Sequence, residues 1–217
     1  MCELLYRIHE AFGVLTVIIL VKGIQLALYH RARGAFIMLI VYTFLRFVIP
    51  KKWFEKKGFY TALMIFATFG SLAFVAFYVI LGTTGINFKL PFFYKNMFSG
   101  REAIWLEFWN LFKNKPLTGI GTNVTITSFF EFNVHNALYD ILVIHGLLVF
   151  AGTIWLIFRK LFKVRRGTAI NFAALCAIFA VFIESFFDVD LIWANYSMNL
   201  LFLLLLAFYK GEGAPNE

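Results

Sequence analysis

The residues best equipped for chemistry in this sequence are three arginines and a histidine. HRARG (30–34) carries Arg31 and Arg33, SGRE (99–102) carries Arg101, and NVHNALYD (133–140) carries His135 beside Asn136, with Asp140 one helical turn below Asn136. Guanidinium forks bind phosphate oxygens bidentately, and a neutral imidazole accepts a proton near neutral pH. If these groups meet, a diphosphate is the natural anion and the histidine the natural base. No Asp-rich run, paired acidic motif or histidine cluster accompanies Arg101 and His135, so a bound Mg²⁺ is not indicated and arginine would neutralise a departing diphosphate. Each feature also has a plainer reading. Arg31 and Arg33 can form a solvated turn, Arg101 can pair at the surface with Glu102 or Glu107, and a lone histidine usually does nothing chemical. Glu184, Asp188 and Asp190 read first as solvated acids at a turn.

The elements that must position these residues are membrane helices. Of 217 residues, 61% are hydrophobic and 15% charged, which leaves too little polar surface for a soluble fold, so lipid is the expected solvent. The expected fold class is an all-α membrane protein in a single domain, 1–217, of about six transmembrane helices. Apolar runs of spanning length lie at 11–29, 59–82, 137–158, 169–187 and 191–209, and a shorter one at 35–49. The short run carries Arg46, whose head can snorkel to the interface, and Pro50 stops it before Lys51, Lys52, Lys56 and Lys57. Cys2 and Cys176 form neither a disulfide framework nor metal-ligand spacing, and no cofactor is implied. The first apolar run lacks a cleavage site and reads as an anchor, while 211–217 reads as a frayed tail.

With the amino terminus inside, eleven of the 20 basic residues fall on the cytoplasmic side, as the positive-inside rule requires. The net charge of +8 therefore marks topology, and nucleic acid is not an expected partner. This orientation puts one long segment, 83–136, on the outer face. Within it, REAIWLEFWNLF (101–112) spaces Ile104, Trp105, Phe108, Trp109, Leu111 and Phe112 as an amphipathic helix, either lying among headgroups or packing the loop down as an aromatic belt. Ser99 is placed to cap it, and Pro116, Gly119 and Gly121 of NKPLTGIG (114–121) break it with a tight turn.

SGREAIWLEFWNLFKNKPLTGIGTN followed by HNALYDILVIHGLLVF resembles the signature block of the O-antigen ligase and polymerase family. Ser99, Gly100, Arg101, Trp105, Pro116, Leu117, Gly119, Gly121, His135, Asn136, Gly146 and Leu147 occupy its places in order. ARGAFIMLIVYTFL (32–45) resembles an earlier Ser-Arg-Gly-Ala element, with Ala32 where serine is usual, which puts Arg33 in the family's outer arginine position. The likeness covers about 14–160. It implies glycosyl transfer from a polyprenyl-diphosphate-linked glycan to a lipid or growing saccharide acceptor, at the outward face of a multi-pass protein in a bacterial cytoplasmic membrane. In that reading Arg33 and Arg101 bind the diphosphate and stabilise its departing charge, and His135 activates the acceptor hydroxyl. Asn136 and Asp140 hold the imidazole, and Arg31 and Trp105 join them on the substrate side.

The family usually has ten or more helices, so this chain looks like a carboxy-terminal half. That implies a fragment, a chain that pairs with another polypeptide or with its own copy, or an inactive member. Two rival classes remain in view. One is a transporter or flippase subunit for a lipid-linked anion, for which no broken-helix pair or inverted repeat is visible; the other is a structural subunit.

Overall fold

The computed structural model describes residues 13–85, 100–122, 134–163 and 169–188, and every regular element among them is helical. The expected helix at 191–209, the tail, Asp190, Ser99 and the stretches 86–99 and 123–133 of the long connection lie outside the described residues. In chain order the elements are α1 (Gly13–Tyr29), α2 (Arg33–Thr43) continued by a π-helical turn (Phe44–Val48), α3 (Lys51–Glu55), α4 (Lys57–Thr83), α5 (Arg101–Phe112), α6 (Ala137–Lys163) and α7 (Ala169–Glu184).

Two of these helices, α4 and α6, are long and apolar enough to cross a bilayer; α1 and α7 are shorter apolar helices. In lipid, apolar surface is not expelled by the solvent, so close packing and hydrogen bonds must hold the helices together. The antiparallel pair α4 and α6 shows both. Near one end the Tyr60 hydroxyl, from the first turn of α4, donates to the Leu161 carbonyl at 2.8 Å. Further along α4 the Ser71 hydroxyl donates to the Asn136 side-chain oxygen at 2.9 Å, just before α6 begins. Between these points Met64 and Ala67 are buried with Val143, Phe150 and Ile154.

The helix expected at 35–49 begins two residues earlier, at Arg33, and loosens into the π turn before Ile49 turns extended. Arg46, in that turn, lays its guanidinium over the Phe47 and Phe172 rings at 5.5 and 5.4 Å, where snorkelling was expected. Pro50 does stop the chain, and the separate short helix α3 follows it at once.

The largest departure from expectation is inside α6, which hydropathy reads as continuous. Gly146, at φ 85° and ψ 172°, breaks it. The helical bonds that would join Leu147 to Val143 and Leu148 to Ile144 are absent, and the Pro116–Gly121 turn takes their place. The Leu147 and Leu148 amides donate to the Pro116 and Leu117 carbonyls, at 2.9 and 3.4 Å, while Val143 and Ile144 accept from Ile120 and Gly121, both at 2.9 Å. The two segments thus exchange hydrogen bonds with near two-fold symmetry about Gly119 and Gly146. Both glycines have positive φ, and a methyl on either would overlap the other segment's backbone. Only glycine fits at these two points. The four bonds supply partners to amides and carbonyls that the break frees, as irregular backbone at membrane depth requires.

Candidate functional site

Two helix starts bring the arginines together. Arg33 is the first residue of α2 and Arg101 the first of α5. Arg31 is placed by the turn before α2, where the Arg31 amide bonds the Leu28 carbonyl and Ala32 bonds Ala27, closing α1 with a Schellman motif. Arg31 occupies the left-handed position of that motif, at φ 54°, where glycine is usual. At the head of α5 the left-handed residue is Gly100, at φ 89°.

Arg31, Arg33 and Arg101 line one cavity of about 330 Å³, closed by Gly34, Glu184, Phe187 and Asp188. Arg101 donates from Nη1 to the Phe187 carbonyl at 2.7 Å, and this contact takes the place of the surface pairing with Glu102 or Glu107. Glu102 instead packs against Gly82 of α4. Burial holds the Arg101 pKa below the ordinary arginine value; Asp188 opposes that shift and Arg33 adds to it. The guanidinium remains protonated at any physiological pH. Two buried-side cations that feel one another's charge form a place where a polyvalent anion lowers the energy of both.

The acids read as solvated from sequence are part of this cavity. Glu184 is buried, 6% exposed, and its carboxylate lies against Gly34 in the first turn of α2, so closely that a β-carbon there would collide with it. Asp188 lines the cavity and also faces His135, Oδ1 to Nδ1 at 3.9 Å. His135 adopts φ 51°. It and Arg31 are the two non-glycine residues with positive φ among the described residues, and both belong to this region. Such geometry costs about 1–2 kcal/mol per residue and concentrates where a side chain must be aimed.

Of the two residues expected to hold the imidazole, Asn136 is committed elsewhere. Asn136 is fully buried and caps α6: its side-chain oxygen accepts from the Tyr139 amide and the Ser71 hydroxyl, both at 2.9 Å, and its Nδ2 donates to the Phe186 carbonyl at 3.1 Å. Asp140 is buried in the first turn of α6. The carboxylate that faces the imidazole belongs to Asp188, about fifty residues away in sequence. Neither acid carries a local signal, since a carboxylate at a helix end looks the same whether it faces water or an arginine.

Trp105 sits one turn after Arg101 on α5 but does not line the arginine cavity. With Leu106 and Trp109 it forms one wall of an apolar groove of about 460 Å³, completed by Leu72, Val75 and Val79 of α4 and by Tyr139 and Leu142 of α6. The expected apolar face of α5 divides accordingly. Ile104, Trp105, Phe108 and Phe112 are buried against the helices, whereas Leu106, Trp109 and Leu111 are exposed. Among the described residues, no three of His, Cys, Asp and Glu gather as a metal-ligand set.

A family model described as O-antigen ligase matches residues 15–154 of the chain. No curated protein and no solved structure gives a match.

Proposed function

Since the chain belongs to the O-antigen ligase family, and so to the membrane enzymes of polysaccharide assembly, we propose that it transfers a glycan from a polyprenyl-diphosphate carrier to a lipid or growing saccharide. The transfer takes place at the outer face of a bacterial cytoplasmic membrane. The observation that carries this reading is the convergence of Arg31, Arg33 and Arg101 on one cavity whose Asp188 also faces His135.

The diphosphate occupies the arginine cavity, where Arg33 and Arg101 approach from two helix starts and add helix-end charge to their own. The carrier's prenyl chain has an apolar path in the groove beside α5, whose Trp105 lies one turn from Arg101. The acceptor oxygen attacks the anomeric carbon as the bond to the diphosphate breaks. The bonding pair leaves on the diphosphate oxygen, where the arginines stabilise it, and the hydroxyl proton passes to His135. Asp188, on the Nδ1 side, orients the ring and supports the imidazolium that forms. Attack from the face opposite the leaving group inverts the anomeric centre.

The break in α6 does not favour a transporter. Its two freed carbonyls already accept from Ile120 and Gly121, so they are not offered to a passing ion.

The test is glycan transfer in a strain lacking its own surface-polysaccharide polymerase or ligase, at matched membrane levels of protein. The intact chain should restore product, and His135→Ala and Arg101→Ala should each abolish it. Product that survives both substitutions would sink the mechanism. The form of the product separates polymerase from ligase.

A further inference from the structure

We propose that Trp105 is the positioning residue for His135: its indole N–H holds the peptide plane that sets the direction of the imidazole. This rests on the reading of His135 as the base.

Trp105 Nε1 donates to the Val134 carbonyl. That oxygen belongs to the peptide whose nitrogen is the His135 nitrogen, so the bond fixes the plane from which the left-handed φ of His135 is measured. On the other side of His135, the Ala137 amide bonds the Ser185 and Asp188 carbonyls at 3.0 and 3.1 Å, and the Asn136 side chain is committed as described. With the preceding peptide pinned, and the following residue Asn136 held by its side chain and by the Ala137 amide beyond it, His135 stays in a conformation that a free chain would leave. The pin itself is rigid. Trp105 is 1% exposed, stands edge-on to Tyr78 at 5.0 Å between ring centroids, and has its own carbonyl bonded by the Tyr139 hydroxyl at 2.8 Å.

One helix therefore sets two things. The start of α5 places Arg101 in the cavity, and its next turn fixes the backbone of His135. The distance between the leaving-group clamp and the base is built into α5, and no substrate contact is needed to establish it. Because the indole N–H is spent on Val134, a polar contact from Trp105 to substrate has no donor.

The experiment replaces that N–H alone. Trp105 is exchanged for 3-benzothienylalanine, which keeps the bicyclic shape and puts sulfur in place of N–H, and Trp105→Phe is made beside it. The full-length protein is reconstituted in proteoliposomes with a polyprenyl-diphosphate oligosaccharide donor. The analogue should lower kcat by roughly tenfold or more, since small misplacements of a reacting group carry penalties of that order, with the donor KM changed less than about twofold. Added to His135→Ala, it should cause no further loss.

An unchanged kcat in the analogue, with His135→Ala inactive, would leave Trp105 as packing only and overturn the inference while the transferase reading stands. A loss confined to KM would make Trp105 a substrate contact and overturn it equally. Full transfer by His135→Ala, or none by the intact chain, would remove the functional reading and this inference with it.

Discussion

Two regions among the described residues carry more than one residue of positive φ, and the two use it differently. At the crossing of the Pro116–Gly121 turn with α6 the positive φ falls on Gly119 and Gly146, and what meets there is backbone against backbone. In the charged region it falls on Gly100 and also on two residues with side chains, Arg31 and His135. Glycine adopts φ above zero at no steric cost, so the crossing gains four hydrogen bonds without strain. Arginine and histidine carry a cost of about 1–2 kcal/mol each for the same geometry. Where the side chain is not needed, the chain discards it; where the proposed chemistry needs the side chain, the chain accepts the strain and holds it with neighbours. In the proposed function the crossing belongs to stability and the arginine–histidine region to activity.

That division can be broken most severely at Gly146. Replacing it with valine should cost more than about 4 kcal/mol, because the new side chain collides with the Leu117 carbonyl and cannot adopt the required φ. Folded protein should be largely lost, as read by size exclusion in detergent; a normal elution profile and thermal transition would contradict the account of the crossing. His135→Gly should do the reverse, lowering transfer by about 10²–10⁴-fold, the usual range for a general base, while leaving thermal stability unchanged or slightly raised. A matched fall in stability would show that the histidine is structural.

Arg101→Lys sharpens the charged side of the comparison. An ammonium keeps the charge but loses the fork, so transfer should drop at least tenfold with no change in stability. Undiminished transfer would reduce Arg101 to a point charge. Asn136→Ala, although it is the direct neighbour of His135, should behave as a crossing-type residue. It loses the α6 cap and strands the Ser71 hydroxyl, at about 2 kcal/mol. The smallest effect is expected at Arg31→Gly. It should stabilise the α1–α2 turn by up to about 1 kcal/mol while weakening donor binding, visible as a higher thermal midpoint together with a higher donor KM.

What the sequence disclosed follows the same line. Arg33, Arg101 and His135 stood out because charge at membrane depth, or on the face where positive charge is disfavoured, demands a reason. The helices came from unbroken apolar runs, and α1, α4 and the start of α6 lie within two residues of the expected bounds. The break in α6 was hidden because it is a backbone event; HGLLVF is as apolar as the run on either side, and the second strand of the exchange lies in another segment. Gly119 and Gly146 were noticed as places in a pattern, but their mutual contact was not visible in either one. Asp188 and Glu184 were read as solvated for lack of a neighbouring signal. Asn136 was assigned to the imidazole because it adjoins His135 in sequence, whereas a helix cap turns its side chain toward its own first turn.

The exchange about Gly119 and Gly146 also governs how the protein must be made. A membrane helix is normally complete once its own residues have left the ribosome, since each amide finds a carbonyl four residues away. Here the two halves of α6 are each completed by partners from a segment synthesised earlier. The native form of this helix is consequently a joint product of two stretches of chain, and it is not reached without the turn 116–121.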